Sequence, residues 1–322
     1  MRRISRAIAM TAMLLVLLPV RAWAADFLIP VGEIVGLQLG SDTLTVVAYD
    51  EALGDAARAA GLKIGDELVK IGQTAIHNPE DVRAALQEEE SSLELTVRRG
   101  SKLNTLHMAP QQTDAGPRLG VYLRQGIAGI GTVTYYDPET GMFGTLGHGV
   151  NDGKGNLLNM TQGSVYSAVV DSVKKGKTGE PGQLKGSATE GIPFGVLQRN
   201  TDRGVFGVSA QGWHGQAVPV ADFEEVQAGP ATIRSTVSGG TPREYSVEIL
   251  KIYPQSRSDG RNFLIRVTDP ALLELTGGIV QGMSGSPILQ NGKLIGAVTH
   301  VLVSDAATGY GIYIGNMLDA AA

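Results

Sequence analysis

Two serines sit in the glycine-rich run GIVQGMSGSPILQNGKLIGAVTH, Gly278 to His300. Glycines at 282 and 285 let the backbone around Ser284 bend sharply, so the N–H groups of Gly282 and Ser284 can point at one spot. An oxyanion in acyl transfer needs such a spot. Ser286 stands directly before Pro287, where a small residue serves packing, and is the weaker candidate. Taken alone, the run also reads as a turn with incidental serines. The chain contains no cysteine, which excludes a thiol nucleophile, a disulfide and a cysteine metal site. A nucleophile here must be a hydroxyl, and hydroxyl chemistry of this kind requires no metal or cofactor.

A serine hydroxyl is a poor nucleophile until a base takes its proton. Five histidines are available: His77, His107, His148, His214 and His300. His77 and His107 belong to the first half of the chain, and His214 reads as a loop residue in QGWHGQ. His300 closes the strand after the nucleophile hairpin, where it can line a cleft. His148, in MFGTLGHGV, ends a strand and has Gly147 and Gly149 on either side, so its imidazole can be approached closely. It precedes Ser284 by 136 residues, and base before nucleophile is one of the chain orders that Ser-His-Asp enzymes use.

The third partner is a carboxylate that holds the base in the right tautomer. Asp137, Asp171, Asp202, Asp222, Asp259 and Asp269 are candidates. Asp269 ends the apolar run FLIRVTD and precedes Pro270, so a strand aims it and a rigid residue fixes its exit. It lies only 15 residues before Ser284.

The elements that must position these residues read as mainly β. From Leu119 onward, short alternating segments such as GTVTYY, SVYSAVV, YSVEILKIY and KLIGAVTHVL are separated by Gly, Asp-Pro and Asn-Gly turns, which argues for a closed barrel or sandwich. Before that, TLTVVAY, DAARAAGL, IGDELVKIGQTAI, NPEDVRAALQE and SSLELTVRRG predict strand, helix, hairpin, helix and strand. Asn78 is placed to cap the second helix, with proline after it. The polar APQQTDAGPR stretch, Ala109 to Arg118, marks the boundary. The organisation predicted is a signal segment over 1–24, a first domain over 28–110 and a second over 118–322.

The first 24 residues carry arginines, an uncharged apolar stretch from Ala7 to Val20 and Ala22-Trp23-Ala24, which is the pattern of a secretory signal peptide. The apolar stretch is short for a membrane span, so removal is expected, with retention as an anchor the alternative. The rest of the chain has no second hydrophobic span. A net charge of −5 implies no nucleic-acid partner.

The segment from Val31 to Arg99, with AGLKIGDELVKIGQTAI at its centre, resembles a PDZ domain of the bacterial protease type. By that resemblance Gly36, Leu37, Gln38 and Leu39 would hold a peptide's C-terminal carboxylate through backbone N–H groups. The GMSGSP loop and its hairpin resemble the nucleophile loop of chymotrypsin-like serine peptidases, which implies a double β-barrel. GTLGHGV and VTDPALLELTGGIVQGMSGSPI, together with the PDZ-like segment behind an export signal, resemble the stage IV sporulation protein B peptidases. That resemblance implies His148 as base, Asp269 as orienting acid and Ser284 as nucleophile. It also implies cleavage of a membrane-associated regulator between forespore and mother cell, which activates a late sigma factor, and self-cleavage near the N-terminus. The processed chain would be membrane-proximal without spanning. The competing expectation is an inactive scaffold that binds peptides through the PDZ-like domain.

Overall fold

The structure, a computed structural model, describes residues 27–88, 92–189 and 191–322. The expected signal segment lies outside the described residues.

The described chain opens with β1 (Phe27–Pro30) and β2 (Ile34–Tyr49). β2 is long because it serves two units. Its second half joins α1 (Asp55–Ala59), β3 (Glu67–Ile71), β4 (Thr74–Ala75), α2 (Pro79–Glu88), β5 (Leu93–Arg99) and β6 (Lys102–Met108). These surround a separate apolar core that includes Leu44, Val46, Leu68, Leu86, Leu93, Leu95 and Val97. The alternation in SSLELTVRRG places Leu93, Leu95 and Val97 inward, each fully buried. Asn78 caps α2 as expected, its Oδ1 accepting the Asp81 N–H at 2.9 Å while Asp81 Oδ2 accepts the N–H groups of His77 and Asn78. In the GLKIGD stretch, Gly61 to Asp66, the buried Asp66 accepts two hydrogen bonds from Arg99, at 2.6 and 2.7 Å, and one from the Lys63 N–H. These tie the turn before β3 to the end of β5.

The first half of β2 belongs to the second unit. It pairs with β7 (Val121–Tyr136) on one side and with β9 (Gln162–Lys174) on the other. β7 continues to β8 (Met142–Thr145), which pairs with β12 (Gly204–Ser209), then β11 (Gly195–Thr201) and back to β9. Those six strands close into a barrel around Val35, Leu37, Val133, Phe143 and Val205. β10 (Gln183–Ala188) flanks β9, and β13 (Val218–Pro219) flanks β1. A second closed barrel follows: β14 (Gly229–Ser235), β15 (Arg243–Ile252), β16 (Phe263–Val267), β19 (Asp305–Tyr313), β18 (Lys293–Leu302) and β17 (Pro287–Gln290). Two helices accompany it, α3 (Pro270–Thr276) and α4 (Ile314–Ala321). The expected double barrel with an N-terminal α+β unit is the architecture observed.

The division between units differs from the linear order read in the sequence. Leu39 pairs with Ile127, and Leu44 with Gln125, on the same two strands. The α+β unit is therefore inserted between two paired strands of the first barrel, and residues 27–39 belong with the barrel. Apolar periodicity marks strands but carries no information on which sheet a strand joins.

Candidate active site

The Ser284 loop runs between α3 and β17. Two threonines of β7 hold it: Thr132 Oγ1 donates to the Gly282 carbonyl at 2.8 Å, and Thr134 Oγ1 donates to the Gly285 carbonyl at 2.8 Å. The Thr132 N–H donates to the Ser284 carbonyl at 3.1 Å. Both threonines are fully buried in the second half of that strand, where a hydroxyl persists only if it is hydrogen-bonded. The polar alternation in GTVTYY is the sign of their role that the sequence carries. Ser286 Oγ donates to Ser235 Oγ at 2.9 Å in a buried pair between strands, which fits a packing residue.

The same strand positions the turn that leads to His148. Thr145 Oγ1 and the Leu146 N–H both donate to the Thr132 carbonyl, at 2.6 and 3.3 Å. Leu146 and Gly147 then adopt left-handed backbone, with φ of 69° and 68°. For a buried leucine this is uncommon and strained, and it turns the chain so that His148 stands three residues beyond the end of β8. His148 Nδ1 lies 2.9 Å from the Gly149 carbonyl. A carbonyl only accepts, so Nδ1 carries the proton and Nε2 keeps the lone pair a base needs. Burial holds this imidazole below its ordinary pKa, against the opposing effect of the Gly149 bond.

His300 completes the cluster, its ring centroid 5.2 Å from that of His148 at a tilt of 41°. It follows Thr299, which is the extra residue of a β-bulge: Val298 pairs with Gly311 and His300 with Tyr310. The bulge turns the Thr299 carbonyl toward Ser284, whose Oγ donates to it at 2.7 Å. The resting hydroxyl is thus held by a backbone carbonyl. The N–H groups of Gly282 and Ser284 donate to no acceptor among the described residues, whereas those of Met283 and Gly285 bond Val280 and Val298.

Two expectations need correction. Among the described residues Asp269 makes no hydrogen bond to His148. It caps α3, its Oδ1 accepting the Leu272 N–H at 3.0 Å and its Oδ2 the Ser246 N–H at 3.4 Å, with Pro270 opening the helix. The Asp-Pro pair that suggested a rigidly aimed carboxylate is a helix start. Nor do Gly36, Leu37, Gln38 and Leu39 offer a peptide-binding edge. Each is paired with β7 on one side and β9 on the other, so the strand has no free edge. His77, His107 and His214 are exposed and take no part in this cluster.

The model of the SpoIVB peptidase S55 family matches residues 116–318, and a PDZ domain model matches residues 53–99. The chain belongs to the SpoIVB peptidase S55 family. It is a serine endopeptidase with an inserted PDZ domain. A curated relative, the mitochondrial serine protease HTRA2 of Bos taurus, is 33% identical over 69 residues, which make up 21% of this chain and 15% of that protein. The structure of the Rv3671c protease in its inactive form shares 17% identity at a TM-score of 0.34, covering 61% of this chain and 82% of that one. A second structure of that protease, from M. tuberculosis H37Rv, has a TM-score of 0.33 at 17% identity, with the same coverage of both chains. Within the S55 peptidase, the family match spans the nucleophile loop, the His148 turn and the Thr299 bulge.

Proposed function

We propose that Ser284 is the nucleophile and His148 its general base, in an exported endopeptidase that cuts a membrane-associated regulatory protein during forespore to mother-cell signalling. Self-cleavage near the N-terminus belongs to this reading, as does a place in the space between the two membranes. The observation that supports the chemistry is that β7 holds both the Ser284 loop, through Thr132 and Thr134, and the turn leading to His148, through Thr145 and Leu146.

The Ser284 hydroxyl turns from the Thr299 carbonyl to His148 Nε2, a rotamer change of the kind side chains make readily. Oγ attacks the scissile carbonyl as Nε2 takes its proton, and the charge on the carbonyl oxygen meets the free N–H groups of Gly282 and Ser284. His148 then returns the proton to the departing amine. β17 pairs with β18 only as far as Ala297, which leaves the β18 edge beyond the bulge for the main chain of an extended substrate. Peptide capture by the PDZ unit is assigned to β7 instead of Gly36–Leu39. Over Val121–Gln125 that strand pairs with β2 alone, and Gln125 Nε2 donates to the His77 carbonyl just before α2.

A fluorophosphonate probe tests the assignment. It labels the full chain at Ser284, and Ser284→Ala and His148→Ala remove the label. Because burial depresses the His148 pKa, the labelling rate rises with pH through a midpoint below about 6.5. A His148→Ala protein that labels as fast as the parent would remove His148 from the mechanism.

A further inference from the structure

Two buried side-chain nitrogens have no hydrogen-bond partner among the described residues, Arg261 Nε and His300 Nδ1. They belong to one cluster. Arg261 stands just before β16 and lies over the ring of Tyr310, 5.0 Å from its centroid. Tyr310 is the strand partner of His300, whose ring centroid is 5.2 Å from that of His148. The His148 turn is itself seated on this barrel, since a Cβ at Gly147 would lie 2.9 Å from both Thr299 and Ile312. Of the two arginines on the loop before β16, only one is neutralised. Arg257 pairs with Asp259 at 2.6 and 2.8 Å. Arg261 reaches Asp259 through its backbone N–H alone, and its half-buried guanidinium donates to no acceptor among the described residues. The unpaired charge is felt at the site: burial first, then the charges of His148 and Arg261, push the His300 pKa down to about 4, against the opposite pull of Asp259.

A cation held near a base that must itself become cationic opposes the charged state of that base. An anion arriving at the guanidinium cancels this effect and supplies the missing acceptor. Among the groups of a peptide, a carboxylate fits the planar fork of arginine best, because it accepts two parallel N–H bonds. We propose that Arg261 is a specificity-determining residue, a cationic subsite that takes a carboxylate of the substrate close to the scissile bond. This rests on the peptidase reading above. The substrate class is a peptide with Glu or Asp at a fixed position near the cut, or one cut at a fixed distance from its C-terminus. A substrate strand on the free edge of β18 alternates its side chains between two faces, and those on the face of His300 and Tyr310 point toward the guanidinium. Once paired, Arg261 no longer opposes the imidazolium, so the carboxylate speeds acyl transfer as well as binding.

Digestion of a mixed peptide library by the full chain, with every cut located by mass spectrometry, tests this. The parent is expected to cut with Glu or Asp at one fixed position, whereas a fixed distance from the C-terminus assigns the carboxylate to the chain end. For a peptide chosen from that profile, kcat/KM should exceed that of its uncharged counterpart, with Gln for Glu or an amidated end, by about 10- to 100-fold. Arg261→Gln should abolish the difference, and Arg261→Glu should turn the preference toward Lys or Arg at the same position. If Arg261→Gln does not fold, Arg261→Lys decides, because a point charge lacks the fork and the ratio should fall several-fold. A ratio equal to the parent's in either variant overturns the proposal, and so does a parent profile with no carboxylate at a fixed place. A parent chain that cuts no peptide and takes no label at Ser284 removes the peptidase reading itself, and this subsite with it.

Discussion

At the scale of single residues, the hydrogen bonds of the resting site differ from the triad expected on sequence. Ser284 donates to a carbonyl, His148 Nδ1 donates to a carbonyl, and Asp269 ends a strand to start a helix. The last point separates two outcomes. Asparagine caps helices about as well as aspartate, whereas alanine at an N-cap costs about 1 kcal/mol. Asp269→Asn is therefore expected to retain probe labelling within a few-fold, and Asp269→Ala to lower stability to denaturant by about 1 kcal/mol. Loss of labelling by orders of magnitude in Asp269→Asn, with the fold intact, would return this carboxylate to the base. Serine and histidine were legible because their chemistry restricts the choices in a chain without cysteine. The acid was not, because a strand-ending Asp before Pro looks the same whether it faces a histidine or caps a helix.

At the scale of elements, the site depends on how closely β7 approaches the nucleophile loop. Gly285 has φ of +96°, and a Cβ there would lie 2.0 Å from the Thr132 carbonyl oxygen and 2.6 Å from the Leu146 nitrogen. Gly285→Ala would force the loop away from β7 and from the His148 turn together, with strain on the order of 3 kcal/mol. The expected result is a lower melting temperature and loss of Ser284 labelling, and a variant that labels normally would show that the close approach is dispensable. The strands themselves were legible from alternation, and α2 from its cap. The Thr299 bulge was not. Nothing in KLIGAVTHVL marks where one residue drops out of register, because the bulge is set by pairing with β19 and by the demands of Ser284.

At the scale of the whole molecule, the inserted PDZ unit makes a specific deletion informative. Leu39 and Ile127 are paired, and Gly40 and Gly126 are the next residues inward. Gly126 has φ of +77°, and a Cβ there would lie 1.9 Å from the Leu39 carbonyl oxygen. Joining Gly40 directly to Gly126 removes residues 41–125 and leaves a two-residue Gly-Gly hairpin turn, a favoured connection between antiparallel strands. The shortened chain is expected to fold and to label at Ser284 at a rate close to that of the parent, while cleaving a folded protein substrate more slowly. A deletion beginning at Val31 removes β2 from the first barrel and should abolish both fold and label. Loss of labelling on the Gly40–Gly126 join would show that the insert supports the barrel. By itself the sequence determined the element types, the mainly β class, the candidate serine and histidine and the presence of a PDZ-like unit, because local periodicity, turn residues and side-chain chemistry are properties of short stretches. Which strands share a barrel, where the insert leaves and re-enters, what Asp269 bonds and why His300 lies on His148 were decided only by tertiary structure. Each of these depends on main-chain groups from distant segments meeting in one place, and no local pattern records such a meeting.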